Sequence, residues 1–151
     1  MRRVCTTVLI VGQVVLLLGC ITPPKHDTAS GRPEVTISKR TAKAVLGSVT
    51  NEMANRGYAI RTRSEMNAVF EKPLEGSLKF MLSGPNLAAP VYRVTFDFVE
   101  TDQETRILAM LNVVENPGAT NRRPERVMTA HDPDENKKLQ ELLALLKTKL
   151  K

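Results

Sequence analysis

YRVTFDFVETDQETRILAMLNV, residues 92–113, decides the fold class. Tyr92, Val94, Phe96 and Phe98 alternate with Arg93, Thr95, Asp97 and Val99, the period of a strand with one buried face. The polar run Thr101-Asp102-Gln103-Glu104 makes a turn, and Ile107, Ala109, Leu111 and Val113 alternate on the return. A four-residue loop sets Phe98 opposite Ile107, Phe96 opposite Ala109, Val94 opposite Leu111 and Tyr92 opposite Val113. A slip of one residue would turn every apolar side chain of one strand to the wrong face, so this register is the predicted one. Asn116-Pro117-Gly118 has the chemistry of a type II turn and ends the return strand.

Upstream, Tyr58, Ile60 and Thr62 alternate with Ala59, Arg61 and Arg63. A short turn at Ser64–Met66 then leads to Ala68 and Phe70, and Pro73 ends the run. This predicts a first hairpin with Ile60 opposite Phe70. Before it, Ala42, Val45, Leu46, Val49 and Met53 recur at helical spacing. They predict a helix from about residue 37, with Ser38 as its N-cap and Gly57 in the left-handed position just past its end. After the second hairpin, Asp132, Pro133 and Glu135 form a helix start of the capping-box type. Leu139, Leu142, Leu143, Leu146 and Leu150 then make one stripe, and Lys147, Lys149 and Lys151 sit where the helix dipole favours cations. The predicted architecture is a two-layer α+β domain, helix–two β-hairpins–helix, with a four-stranded antiparallel sheet and both helices on one face. Leu78, Phe80, Met81 and Leu82 fall in the connection 74–90, which is expected to fold back on the domain.

The amino-terminal segment has a different logic. Arg2 and Arg3 precede an apolar run from Val8 to Leu18, which has 11 residues. A membrane-spanning helix needs about 20, so the run reads as the core of a signal peptide. It ends in Leu17-Leu18-Gly19-Cys20. This resembles the lipobox of bacterial lipoproteins. The resemblance implies that residues 1–19 are removed and that the Cys20 thiol carries a diacylglycerol, its freed amine taking a further acyl chain such as palmitate. Phe70-Glu71-Lys72-Pro73, Tyr92-Arg93-Val94-Thr95-Phe96 and Asn116-Pro117-Gly118 resemble segments of small uncharacterised bacterial envelope lipoproteins. That family carries over no activity and no functional residue.

Processing at Cys20 leaves 132 residues, enough for one domain. Of the two cysteines only Cys20 remains, so no internal disulfide can form. Two or three acyl chains anchor durably, at about 0.8 kcal/mol per buried methylene. Residues 20–33, with three prolines and a glycine, read as the lipidated cysteine and a flexible tether. Residues 34–151 then form the domain. Ile21, rather than aspartate, follows the lipid-bearing cysteine. Aspartate there resembles an inner-membrane retention signal, so in a Gram-negative source the resemblance implies the periplasmic face of the outer membrane, and with a single membrane the outer surface.

Removing Arg2 and Arg3 leaves 20 basic against 16 acidic side chains, too dispersed to indicate nucleic acid as a partner. Lys25, Arg32, Lys39, Arg40 and Lys43 lie near the lipid in sequence and read either as headgroup contacts or as solvated charges. His26 reads as solvated. His131 stands beside Asp132 and Asp134, but those aspartates suit a helix start and no second histidine or thiolate is near, so no metal and no cofactor is expected. There is no nucleophile elbow, no S-x-x-K pair and no phosphate-binding glycine loop, so no catalytic residue is assigned. Two features could meet a partner. Arg122, Arg123 and Arg126, with Glu125 among them, could grip an anion. Val99, Leu108 and Met110 point away from the predicted helices and call for a cover, either the 74–90 segment or a partner protein or second copy. The leading expectation is a non-enzymatic binding or assembly module of the envelope. The alternatives are a small enzyme or ligand-binding domain using the Arg122–Arg126 loop, and a purely structural tethered spacer.

Overall fold

The computed structural model describes residues 26–76, 88–119, 124–130 and 133–151. Six strands and two helices run in the order β1 (Glu34–Ser38), α1 (Ala42–Asn55), β2 (Ala59–Arg63), β3 (Asn67–Pro73), β4 (Val91–Glu100), β5 (Glu104–Glu115), β6 (Arg126–Thr129) and α2 (Pro133–Lys149). The class is α+β, and every strand pairing is antiparallel. The sheet order is β1-β5-β4-β3-β2, with β6 also paired to β5.

The central hairpin has the expected register. Phe98 faces Ile107, Phe96 faces Ala109, Val94 faces Leu111 and Tyr92 faces Val113. The first hairpin also pairs Ile60 with Phe70, across a loop at 64–66. There the register shifts: Thr62 lies opposite Val69 rather than Ala68, and Arg63 takes the place opposite Ala68. The extra residue is Arg61, whose guanidinium reaches Glu71 and Glu125. A bulge is a common device on an edge strand, because it spoils the template for edge-to-edge pairing.

The expected count of four strands is too low, and two corrections explain why. Ser38 does not cap the first helix; it ends β1, which pairs Glu34 with Leu108 and Ser38 with Glu104. The cap is Thr41, whose hydroxyl accepts from Ala44 N–H at 3.3 Å. β1 carries only Val35 and Ile37 on its buried face, too short an alternation to stand out beside the stripe of α1. The second addition, β6, pairs Asn112 with Thr129 and Glu115 with Arg126. Thus β5, with 12 residues, is shared along its far side by β1 at one end and β6 at the other.

Both helices bury their stripes in one core. Val45, Leu46, Val49 and Met53 of α1, and Leu139, Leu142, Leu143 and Leu146 of α2, cluster with Phe70, Val94, Phe96, Phe98, Ile107 and Leu111 of the sheet. Both therefore cover the same face, as expected. Phe70 and Phe96 meet edge to face with centroids 5.8 Å apart, a geometry that contributes about 1 kcal/mol beyond burial. Gln140 ties α2 to β1: its carbonyl accepts from Glu34 N–H at 3.0 Å, and its amide donates to Glu34 C=O at 3.2 Å.

Residues 26–33 form a hydrogen-bonded turn, with Gly31 N–H donating to Thr28 C=O. Pro33 is buried, and its carbonyl accepts from Ala109 N–H. In the 74–90 connection, Leu74 lies in the core and its N–H donates to Pro90 C=O at 2.9 Å. Leu78, Phe80, Met81 and Leu82 lie outside the described residues.

Candidate functional site

A cleft of about 440 Å³ opens at the end of the sheet where β3 and β5 finish and β4 begins. It lies between the last turn of α1 and the first turns of α2. α1 ends there in a Schellman motif. Gly57 takes φ +82°, its N–H donates to Ala54 C=O, and Tyr58 N–H donates to Met53 C=O. The reversal turns Tyr58 back beside Met53, and both side chains line the cleft.

Register supplies the opposite wall. Lys72 is paired with Tyr92, so both share the inward face with Val94 and Leu111. The Lys72 ammonium lies 5.8 Å from the Tyr58 ring centroid, within cation–π range. From α2, Glu135, Lys138, Leu139 and Leu142 face the cleft at three- and four-residue spacings. Lys138 and Glu135 neutralise one another at 2.6 Å. Burial, with the Glu135 carboxylate adding to it, pushes the Tyr58 phenol up to about 12, so at neutral pH it keeps its proton. Met53, Val94, Leu111, Leu139 and Leu142 back the cleft as buried core, and its accessible lining is more polar than apolar, with Arg56, Lys72, Glu75, Glu135 and Lys138 around it. Among the described residues no serine, cysteine or histidine lines it.

A second cluster lies on the other face of the sheet. Glu71 accepts from Arg61 Nη1 at 2.8 Å and from Arg93 Nε at 2.7 Å. Glu125 accepts from both terminal nitrogens of Arg93, from Arg61 Nη2 at 3.3 Å and from Gly118 N–H at 2.9 Å. The Arg93 guanidinium holds the Glu125 carboxyl at about 2, far below the usual range, and Glu125 in turn raises the Arg93 guanidinium. Two cations and two anions cancel. The cluster is a fastening that pins Glu125 and Gly118 to the sheet, with no excess charge to offer a ligand.

Of the residues singled out in the sequence, Arg126 lies on β6, not in a loop; its side chain is 72 % exposed and 3.8 Å from Glu115. Arg122, Arg123, His131 and Cys20 lie outside the described residues, as do the signal segment and Asp132. Val99 is exposed, while Leu108 and Met110 are half-buried on the outward face. Thr95 lies opposite Met110 there, and Asp97 opposite Leu108. His26, expected to be solvated, has a buried Nε2 with no hydrogen-bond partner among the described residues. Among the described residues no group of three His, Cys, Asp or Glu side chains is placed to hold a metal. The cleft was missed because its wall is assembled from five elements, α1, β3, β4, β5 and α2. The available signals were Gly57-Tyr58 after a helix and the two tyrosines at inward positions, and each reads equally well as core. Comparison with protein-family models, with curated proteins and with solved structures finds no match to this chain.

Proposed function

We propose that the chain is a lipid-anchored protein of the bacterial cell envelope, a non-enzymatic binding or assembly module carried on an acylated Cys20. The observation that carries this reading is the sequence of signals at the amino terminus: Arg2-Arg3, the 11-residue apolar run, and Leu17-Leu18-Gly19-Cys20. One further observation supports it. The cleft, at about 440 Å³, falls within the range of about 300–1,000 Å³ that small-ligand sites occupy. With Ile21 after the cysteine, a Gram-negative source would carry the protein to the periplasmic face of the outer membrane.

The test compares the native chain with Cys20→Ser by intact mass, membrane fractionation and lipid-preserving pull-down. The native chain is expected to carry acyl chains and to sediment with membranes. Cys20→Ser is expected to lack both properties. A native chain without lipid at Cys20 overturns the reading. A partner lost on changing Leu108 and Met110 to lysine would mark the outward sheet face as the assembly surface. A partner kept in that variant removes the face from consideration.

A further inference from the structure

We infer that the outer edge of β6 is where two copies of this chain pair, their β6 strands running antiparallel about a two-fold axis at Met128 and joining the two sheets into one. The inference goes beyond the envelope reading and does not depend on lipid at Cys20.

The alternation of backbone hydrogen bonds defines the edge. Ala130 N–H donates to Leu111 C=O, so the backbones of Ala130, Met128 and Arg126 turn toward β5. Those of Val127 and Thr129 turn outward. Among the described residues β6 has β5 as its sole strand neighbour, and no hydrogen bond reaches those outward groups. The other two edges are defended. β2 carries the Arg61 bulge. On β1 the Gln140 amide accepts from Glu34 N–H and donates to Glu34 C=O, standing in for a next strand. β6 has neither device among the described residues, and its Val127 side chain is 51 % exposed.

A second copy supplies what this edge lacks. With Met128 on the axis, Val127 of each copy faces Thr129 of the other, and every outward N–H of these residues meets an outward C=O. The side chains agree with that register. Val127 and Thr129 share the outward face, since they lie opposite Val114 and Asn112 of β5, so one β-branched side chain meets another across the axis. Arg126 falls opposite Ala130, so no charge meets its like. Met128 packs partly buried against the core on the inward face. There its adaptable thioether meets that of the second copy and carries the apolar layer across the axis.

The experiment uses the full chain in intact cells that produce it. Met128→Cys sets a thiol from each copy at a non-hydrogen-bonded pair, with Cα atoms about 4.5 Å apart and within reach of a disulfide. Mild oxidation is expected to give a covalent dimer of this chain. Val127→Cys with Thr129→Cys, both at exposed positions, is expected to capture the same dimer without touching the core. The native chain controls for Cys5 and Cys20, and Val99→Cys, an exposed thiol on β4, controls for random collision. Adding Val127→Glu and Thr129→Glu to Met128→Cys sets like charges opposite one another and is expected to lower capture about tenfold or more. Val127→Glu with Thr129→Lys sets opposite charges there and is expected to keep the dimer, at a similar burden on the strand. No dimer from either cysteine design, equal capture from Val99→Cys, equal capture by both charge variants, or a disulfide to a different protein overturns the pairing.

Discussion

Glu125 shows how much a single carboxylate can organise. It holds Arg93 through both terminal nitrogens, takes Arg61 from the bulge of β2, and closes on Gly118 N–H. Its folded pKa of about 2 lies below the ordinary 4.5, so folding favours the ionised form. The stabilisation is complete above about pH 5 and is lost as the pH falls from there toward 2. Urea denaturation of the native chain and Glu125→Gln at pH 7 and pH 3 checks this. The variant is expected to be about 1–2 kcal/mol less stable at pH 7, with the gap narrowing at pH 3. An equal gap at both would show that the carboxylate's charge is not what matters. Tyr58 works in the opposite direction: with its phenol raised to about 12, stability falls as the pH rises above about 10, and a 295 nm titration should show one tyrosine ionising late. Neither residue stands out in the sequence, since an isolated Glu or Tyr is marked only by what surrounds it.

At the scale of elements, α1 combines local and distant instructions. Its stripe and its Gly57 stop were legible, because both depend on neighbours within a few residues. Its start was not. Thr41 caps Ala44, but Ala42 N–H donates to the carboxylate of Glu100 at 2.6 Å, from the far end of β4. That carboxylate stands at the positive end of a helix with no acid of its own in the first turn. Glu100→Ala is therefore expected to cost about 1 kcal/mol although it lies outside the helix. Chemical denaturation measures it, and an unchanged midpoint would leave Thr41 as the whole cap. Gly47 sits mid-helix, and a Cβ there would meet nothing within 4 Å. Gly47→Ala is expected to add about 0.5–1 kcal/mol, read as a rise of a few degrees in thermal midpoint.

For the whole molecule, β5 is the axis. It pairs with β4 along nearly its full length on one side and with β1 and β6 in turn on the other. β2, by contrast, is an edge strand whose five residues are all exposed, Ile60 at 49 %. Native-state hydrogen exchange should accordingly find the slowest amides in Ile107–Val114 and the fastest strand amides in β2. Uniform protection across the sheet would contradict this hierarchy. The nearby core is intolerant: Phe96, wholly buried against Phe70 and Phe98, should cost about 3–5 kcal/mol on replacement by alanine, measured by the same denaturation.

The sequence by itself determined the α+β class, the register of the central hairpin, the pairing of Ile60 with Phe70, and the shared face of the two helices. Each follows from periodicity within about 20 residues, where a strand or helix must sort its apolar side chains to one side or lose their burial. Only the tertiary structure decided the places of β1 and β6, the Glu100 cap of α1, the Arg61 bulge and the cleft. Glu34 meets Leu108, and Ala42 meets Glu100, across 74 and 58 positions of chain. Partners so distant leave no mark on either local pattern. A short strand such as Glu34–Ser38 has too little apolar surface to declare itself; it becomes a strand because β5 offers it an unpaired edge and the core a place for Val35 and Ile37.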